Sequence, residues 1–131
     1  MLRKIIISTL LTMSLSTTGV MAKNNTDHLV KLASKQEVLS QNIINAYKKQ
    51  DNGSSALVVI KALELGQTKL KSDIHNSEID NLLVFLNICL DDLKVVVKKP
   101  YSSYNAQLVV DLSDSISEGS QYIRQSLKNI S

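Results

Sequence analysis

Apolar residues recur at the three- and four-residue spacing of a helix in four successive segments, separated by short breaks. The breaks fall at Asp51-Asn52-Gly53, at His75-Asn76 and at the single proline, Pro100. Alternation typical of a strand never continues for more than a few residues. Helices of similar length joined by short connections pack as antiparallel neighbours. The pattern therefore predicts an all-α fold, an antiparallel up-down four-helix bundle.

Residues able to cap a helix precede each segment, and residues that stop a helix follow it. The expected helices span about 26–50, 54–73, 77–99 and 103–129. The expected capping residues are Asn25 or Thr26, Ser54 or Ser55, Ser77, and Ser102 or Ser103.

The same spacing predicts which residues face the core. Cys89 is the only cysteine, so no internal disulfide forms, and its place on a core face predicts a buried thiol. The predicted core residues are, helix by helix, Leu29, Leu32, Gln36, Leu39, Ile43 and Ala46; Leu57, Ile60, Leu63, Gln67, Leu70 and Ile74; Ile79, Leu82, Leu83, Leu86, Cys89, Leu90, Leu93, Val96 and Val97; and Val109, Leu112, Ile116, Gly119, Ile123 and Leu127.

The first 22 residues have the features of a secretory signal peptide. A basic start is followed by the apolar stretch Ile5–Leu15, which is too short to span a bilayer, and then by Val20-Met21-Ala22. Small residues at these positions predict cleavage after Ala22. An uncleaved anchor is the alternative. We therefore expect a signal peptide over 1–22 and one periplasmic domain over 23–131 with no further membrane span.

The charge balance of the expected mature chain is close to neutral. Removal of Arg3 and Lys4 leaves 13 of the 15 basic residues against 12 acidic ones. The longest basic run is Lys98-Lys99, and no set of aromatic residues able to stack on bases accompanies it. Nucleic acid is therefore not an expected partner.

Two glutamines occupy predicted core positions. Gln36 lies 16 residues before Asn52 (52 − 36), and Gln67 lies 15 residues after it (67 − 52). In an antiparallel pair of helices these side chains lie at about the same height. A buried amide left unpaired costs on the order of 1–3 kcal/mol. The two amides either satisfy each other in part and fix the register of the helices, or face a ligand, a water or a second subunit.

The segment LASKQEVLSQNIINAYKK, residues 32–49, resembles the first-helix motif of NarX/PilJ-type periplasmic sensor domains. That family usually has a segment close to A-G-x-Q-R-M-L-S-Q-R-I-A-K-A-Y. The resemblance implies a four-helix bundle, usually attached to a membrane anchor and a signalling module. The matching residues are Ala33, Gln36, Leu39, Ser40, Gln41, Ile43, Ala46 and Tyr47.

The chain departs from this family at the residues that read an anion. In the family's nitrate sensors an arginine follows the first motif glutamine and binds the anion at a two-fold dimer interface. Here Glu37 takes that position, and Asn42 replaces the second motif arginine. A carboxylate repels an anion that a guanidinium binds, so nitrate sensing by the family mechanism is not expected. Since no transmembrane helix or transmitter follows residue 127, we expect a free-standing version of the domain.

These observations predict a non-enzymatic, sensor-like module that binds a small cationic or neutral polar ligand, or a membrane receptor partner. The alternative is a structural or interaction bundle that dimerises through its first and last helices without a small ligand. The predicted ligand or interface residues are Lys35, Gln36, Glu37, Ser40, Gln41 and Gln67.

Catalytic, metal and cofactor sites have little support in the sequence. His28 and His75 lie at helix ends that an antiparallel bundle brings together, but two exposed histidines are more often solvated than metal-bound. The expected mature chain has no methionine, no haem-attachment motif and no glycine-rich phosphate loop. We expect no enzyme activity, no metal and no cofactor.

Overall fold

The computed structural model describes residues 23–130 and contains four helices with no strand in that range. The predicted signal peptide, residues 1–22, lies outside the described residues. The predicted all-α four-helix bundle is confirmed. The helices are α1 (Lys23–Tyr47), α2 (Ser54–Asp73), α3 (Ser77–Val96) and α4 (Ser103–Ile130).

The helices pack in a closed arrangement in which α1 and α3 each lie against α2 and α4, and the α1–α4 contact is the most extensive. Along that contact Glu37 meets Arg124, whereas Gln41, further along α1, meets Ser117, which comes earlier on α4. This opposite order is expected of antiparallel neighbours. The up-down order of the whole bundle stays a prediction. None of the described helices combines the length and apolarity needed to cross a membrane.

Helix α3 supplies the most continuous part of the aliphatic core. All nine residues predicted for its core face are buried. Cys89 is 4% exposed and forms no disulfide among the described residues, which confirms the predicted buried thiol. Strong helical periodicity of large aliphatic residues explains why this face is predictable without a structure.

The buried face of α1 differs from the predicted one. Leu32 and Leu39, predicted as core residues, are only half-buried and pack against the edge of the core, as do Leu57 on α2 and Leu112 on α4. The buried residues instead alternate at three- and four-residue spacing, as in a coiled-coil contact. They are Thr26, Leu29, Ala33, Gln36, Ser40, Ile43 and Tyr47, joined by Ala46 beside Tyr47.

Small side chains recur on the buried face of α1. Thr26, Ala33 and Ser40 recur every seven residues, and each is 0% exposed. Helix α4 also buries four serines. A buried serine is tolerated in a helix because its hydroxyl donates to a carbonyl of the preceding turn. Ser40 Oγ donates to the Glu37 carbonyl at 2.7 Å, and Ser115 Oγ donates to the Asp111 carbonyl at 3.1 Å. Hydrophobic patterning alone misses such positions.

Three helix boundaries also differ from the predictions. The chain is helical from Lys23, so Asn25 and Thr26 lie inside α1 and do not cap it. At the other end, α1 stops at Tyr47, because Gln50 adopts a left-handed conformation (φ 56°) and its N–H bonds back to the Tyr47 carbonyl. Helix α3 likewise ends at Val96, earlier than expected.

The connection between α1 and α2 packs against the end of α3. Gly53 has φ 82°, in the left-handed region. A Cβ at this position would overlap the Val97 carbonyl, so the close approach also requires glycine. Gly53 is the N-cap of α2, so the prediction of Ser54 or Ser55 is wrong, and the Asp51 carboxylate accepts hydrogen bonds from the Ser55 N–H and hydroxyl in the first turn. The close approach of Gly53 to Val97 therefore places the α1–α2 connection against the end of α3, while the Asp51–Ser55 bonds tie that connection to the first turn of α2. Asn76, not the predicted Ser77, caps α3, because its side chain accepts a hydrogen bond from the Ile79 N–H.

Candidate functional site

The amide of Gln36 is enclosed between α1 and α2. Its side chain is 1% exposed, and Nε2 donates to the main-chain carbonyl of Leu63 at 2.8 Å. Gly66 lies directly beneath this amide, where a Cβ would overlap it. The pairing therefore needs glycine on the facing turn of α2. Gln36 thus acts within the chain as a link between the two helices.

The amide of Gln67 has no such pairing. Its side chain is 2% exposed, and neither Nε2 nor Oε1 has a hydrogen-bond partner among the described residues. The predicted height is consistent with the structure, because Gln36 reaches Leu63 and Gly66, close to Gln67 on α2. The predicted mutual hydrogen bond is absent, because the Leu63 carbonyl takes the Gln36 donor instead. An unpaired buried amide is costly, so Gln67 is the least satisfied part of the core.

Glu37 faces α4, where an arginine approaches it. Arg124 Nη2 lies 3.3 Å from Glu37 Oε2, and the two side chains are 23% and 24% exposed. Gln41 Nε2 donates to Ser117 Oγ at 3.3 Å in the same contact between helices. We call these four residues the α1–α4 polar face. It presents one carboxylate and one guanidinium side by side.

The six predicted site residues therefore separate into two groups. Gln36, Ser40 and Gln67 lie inside the bundle. Glu37 is half-buried, whereas Lys35 and Gln41 are exposed on the surface.

Sequence reasoning missed Arg124 and Ser117. A signal for Arg124 was present, because it is the one arginine after residue 22. Its proximity to Glu37 requires the register of α1 against α4, which a single sequence does not specify.

The histidines form no metal centre with the described residues. His28 and His75 are both exposed, and no group of three metal-ligating side chains occurs in the part of the chain that the structure describes. The pKa of Asp73 is lowered chiefly by a hydrogen bond from Lys69, with a smaller contribution from the charge of His28. His28 at the start of α1 therefore lies near the end of α2.

A second feature is a cleft of about 200 Å³ at the end of the bundle where the α1–α2 and α3–α4 connections meet. The Tyr47 hydroxyl donates to the carbonyls of Lys99 and Pro100 at 3.3 and 3.2 Å. Its ring lies 5.2 Å from that of Tyr101, centroid to centroid. Burial raises the pKa of Tyr47, and the neighbouring Tyr101 hydroxyl adds to that effect. The tyrosine thereby ties the α3–α4 connection to the end of α1.

Comparison of the chain with protein-family models, curated proteins and solved structures finds no match in any of the three. The likeness to the NarX/PilJ-type sensor domains consequently depends on the motif in residues 32–49 and on the helical pattern around it, and it stays a hypothesis.

Proposed function

We propose that this chain is a non-enzymatic, sensor-like binding module of the periplasm that recognises a small polar solute, or a receptor partner, through its α1–α4 polar face. The observation that carries the proposal is the contact between Glu37 and Arg124. It joins the motif-bearing first helix to the last helix. Any molecule that engages either charge also changes the contact between these helices.

The contact between Glu37 and Arg124 is of a kind that a bound solute can displace. The pair is joined by one 3.3 Å contact, and its side chains remain 23% and 24% exposed, so a solute can reach both charges. A solute with an ammonium and a carboxylate replaces both partners at once, since its charges complement Glu37 and Arg124. Zwitterionic and cationic solutes therefore fit the face better than nitrate, which carries no positive charge or hydrogen-bond donor for Glu37. Replacement of the direct contact by a solute would shift α1 relative to α4, the kind of movement a sensor needs.

The alternative is a structural bundle without a small ligand. Its support is the hydrogen bond from Gln36 to the Leu63 carbonyl, because a polar residue satisfied inside the chain is typical of one that fixes register. Under this alternative the motif residues serve packing, and the α1–α4 polar face only joins two helices.

Thermal unfolding in the presence of added solutes separates the two candidates. The protein is expressed from the full chain, so that any processing after Ala22 takes its natural course. A panel of zwitterionic amino acids, alkylamines and nitrate is tested at equal ionic strength. A solute at about 100 times its Kd stabilises the fold by about 2.7 kcal/mol, which is readily detected. We expect stabilisation by a zwitterionic or cationic solute and none by nitrate.

Matched variants then test whether the stabilising solute binds at the α1–α4 polar face. Glu37→Gln and Arg124→Gln should each abolish the stabilisation, while Lys61→Gln, an exposed charge on α2, should leave it unchanged. Sedimentation velocity on the same samples reports whether binding changes self-association. If no solute stabilises the protein and it does not associate, the small-ligand proposal fails. If the unliganded chain is a dimer that Glu37→Gln and Arg124→Gln leave intact, the structural alternative is favoured.

A further inference from the structure

The end of the bundle that contains the cleft carries more positive than negative charge. The two connections that form this end, residues 48–53 and 97–102, contain four lysines and one carboxylate. The lysines, which are Lys48, Lys49, Lys98 and Lys99, are all exposed. At the opposite end of α1, Asp27 and Asp73 are close to His28, and Glu78 and Asp80 follow at the start of α3. A nearly neutral domain thus concentrates positive charge at one end.

The single carboxylate at this end is already engaged. Asp51 accepts hydrogen bonds from the N–H and hydroxyl of Ser55, and these bonds, with a smaller contribution from the charge of Lys49, lower its pKa. Since none of the four lysines has an ion-pair partner among the described residues, Asp51 does not neutralise them through a direct contact. Among the residues that line the cleft, two are lysines, Lys98 and Lys99, and none is acidic. The cleft is therefore complementary to an anion.

The backbone adds neutral donors to this positive charge. Asn52 (φ 61°) and Gly53 (φ 82°) adopt left-handed conformations in the wall of the cleft. No hydrogen bond of the described residues takes up their N–H groups. Successive N–H groups in a turn of this kind form concave sites that favour anions. Tyr101, 39% exposed, also lines the cleft.

We propose that this cleft binds a phosphate group, held by Lys98, Lys99 and the N–H groups of Asn52 and Gly53. A cavity of about 200 Å³ has room for one phosphate and a small attached group. Phosphate is favoured because it accepts several hydrogen bonds at once from lysine and backbone donors. The group comes either from a free phosphate monoester or from an anionic phospholipid headgroup. The site lies away from the α1–α4 polar face and does not depend on its function.

The test uses protein expressed from the full chain and two probes, glycerol phosphate and vesicles. The chain contains no tryptophan and four tyrosines, two of which, Tyr47 and Tyr101, line the cleft, so tyrosine emission is followed during titration with glycerol phosphate. Sedimentation with vesicles of equal parts phosphatidylglycerol and phosphatidylcholine is compared with sedimentation in phosphatidylcholine alone. Both are measured at about 50 mM and about 150 mM salt, because screening weakens exposed charge interactions.

The decisive comparison is between two double variants with the same loss of charge. Lys98→Gln/Lys99→Gln removes the lysines of the cleft, whereas Lys61→Gln/Lys71→Gln removes exposed lysines from α2. We expect the first to weaken binding by about tenfold or more, since one charge-assisted hydrogen bond contributes about that factor. We expect the second to change it less than about twofold. Circular dichroism checks that both variants remain helical.

Each outcome decides the proposal. Saturable binding of glycerol phosphate that only the cleft variant loses supports a site for a free phosphate monoester. Vesicle binding alone, lost only in the cleft variant, supports a lipid headgroup as the source. Binding to neither probe overturns the proposal, and so does an equal loss in both double variants, which would mean attraction by overall charge.

Discussion

Gln36 on α1 donates from Nε2 to the main-chain carbonyl of Leu63 on α2 at 2.8 Å, in a space that is open only because residue 66 is glycine. The two helices are thus held in register by a side chain on one and the lack of a side chain on the other. Neither residue alone explains the contact.

Replacement of Gly66 by alanine should destabilise the protein. Alanine is favoured over glycine in a helix by about 1 kcal/mol, but overpacking and the loss of the Gln36 hydrogen bond cost more. We expect a net loss of about 1–3 kcal/mol in the free energy of unfolding, measured by urea denaturation. In a double-mutant cycle, Gln36→Ala should remove most of the cost of Gly66→Ala. Strictly additive effects would contradict the packing described.

Replacement of Gln67 by methionine should stabilise the protein. The substitution roughly conserves volume and removes an amide whose two polar atoms are buried without partners among the described residues. We expect a gain of about 1–2 kcal/mol, whereas the matched substitution Gln36→Met should cost about 1 kcal/mol. Urea denaturation of the two variants measures both. If Gln67→Met is instead clearly destabilising, the Gln67 amide has a partner in solution, such as a bound molecule.

The Tyr47 hydroxyl should ionise at a higher pH than that of an ordinary tyrosine. Burial and the neighbouring Tyr101 raise its pKa above 10.0, so the neutral hydroxyl is favoured in the fold. This contribution to stability is fully present below the pKa that Tyr47 has in the unfolded chain. It is lost as the pH rises through the pKa that Tyr47 has in the folded protein. Ultraviolet titration should show a late-ionising tyrosine that Tyr47→Phe removes. That variant should also lose about 1 kcal/mol of stability at neutral pH with the hydrogen bonds to Lys99 and Pro100. An unchanged titration in Tyr47→Phe would refute the assignment.

Asp51 should remain ionised below the usual range of a carboxyl group. Hydrogen bonds from Ser55 lower its pKa below 3.8. The carboxylate therefore stabilises the fold fully above the unfolded pKa, and this contribution disappears as pH falls through the folded value. Carbon-detected NMR titration measures the Asp51 pKa directly. Ser55→Ala should raise it, because the hydroxyl donor is removed, while Ser54→Ala is the control expected to leave it unchanged.

The amino-acid pattern predicted the core residues of α3 correctly and those of α1 only in part. The core face of α3 follows from sequence alone, because large aliphatic residues at 3.6-residue spacing lie on one face of a helix, and that face is buried. The core face of α1 was only partly predictable. Ser40 resembles a surface residue in sequence, yet it is fully buried, and its hydroxyl is satisfied by a carbonyl of its own helix.

The sequence by itself determined the number of helices, the places where the chain turns and the burial of Gln36 and Gln67. Those properties depend on local spacing and on the residues that interrupt it, at Asn52-Gly53, His75-Asn76 and Pro100. Only the tertiary structure decided that Gln36 bonds to Leu63 while Gln67 is left without a partner among the described residues, and that Glu37 meets Arg124. Such contacts depend on the axial offset and rotation of packed helices. A shift of one residue, about 1.5 Å, changes every partner while leaving the hydrophobic pattern almost equally satisfied.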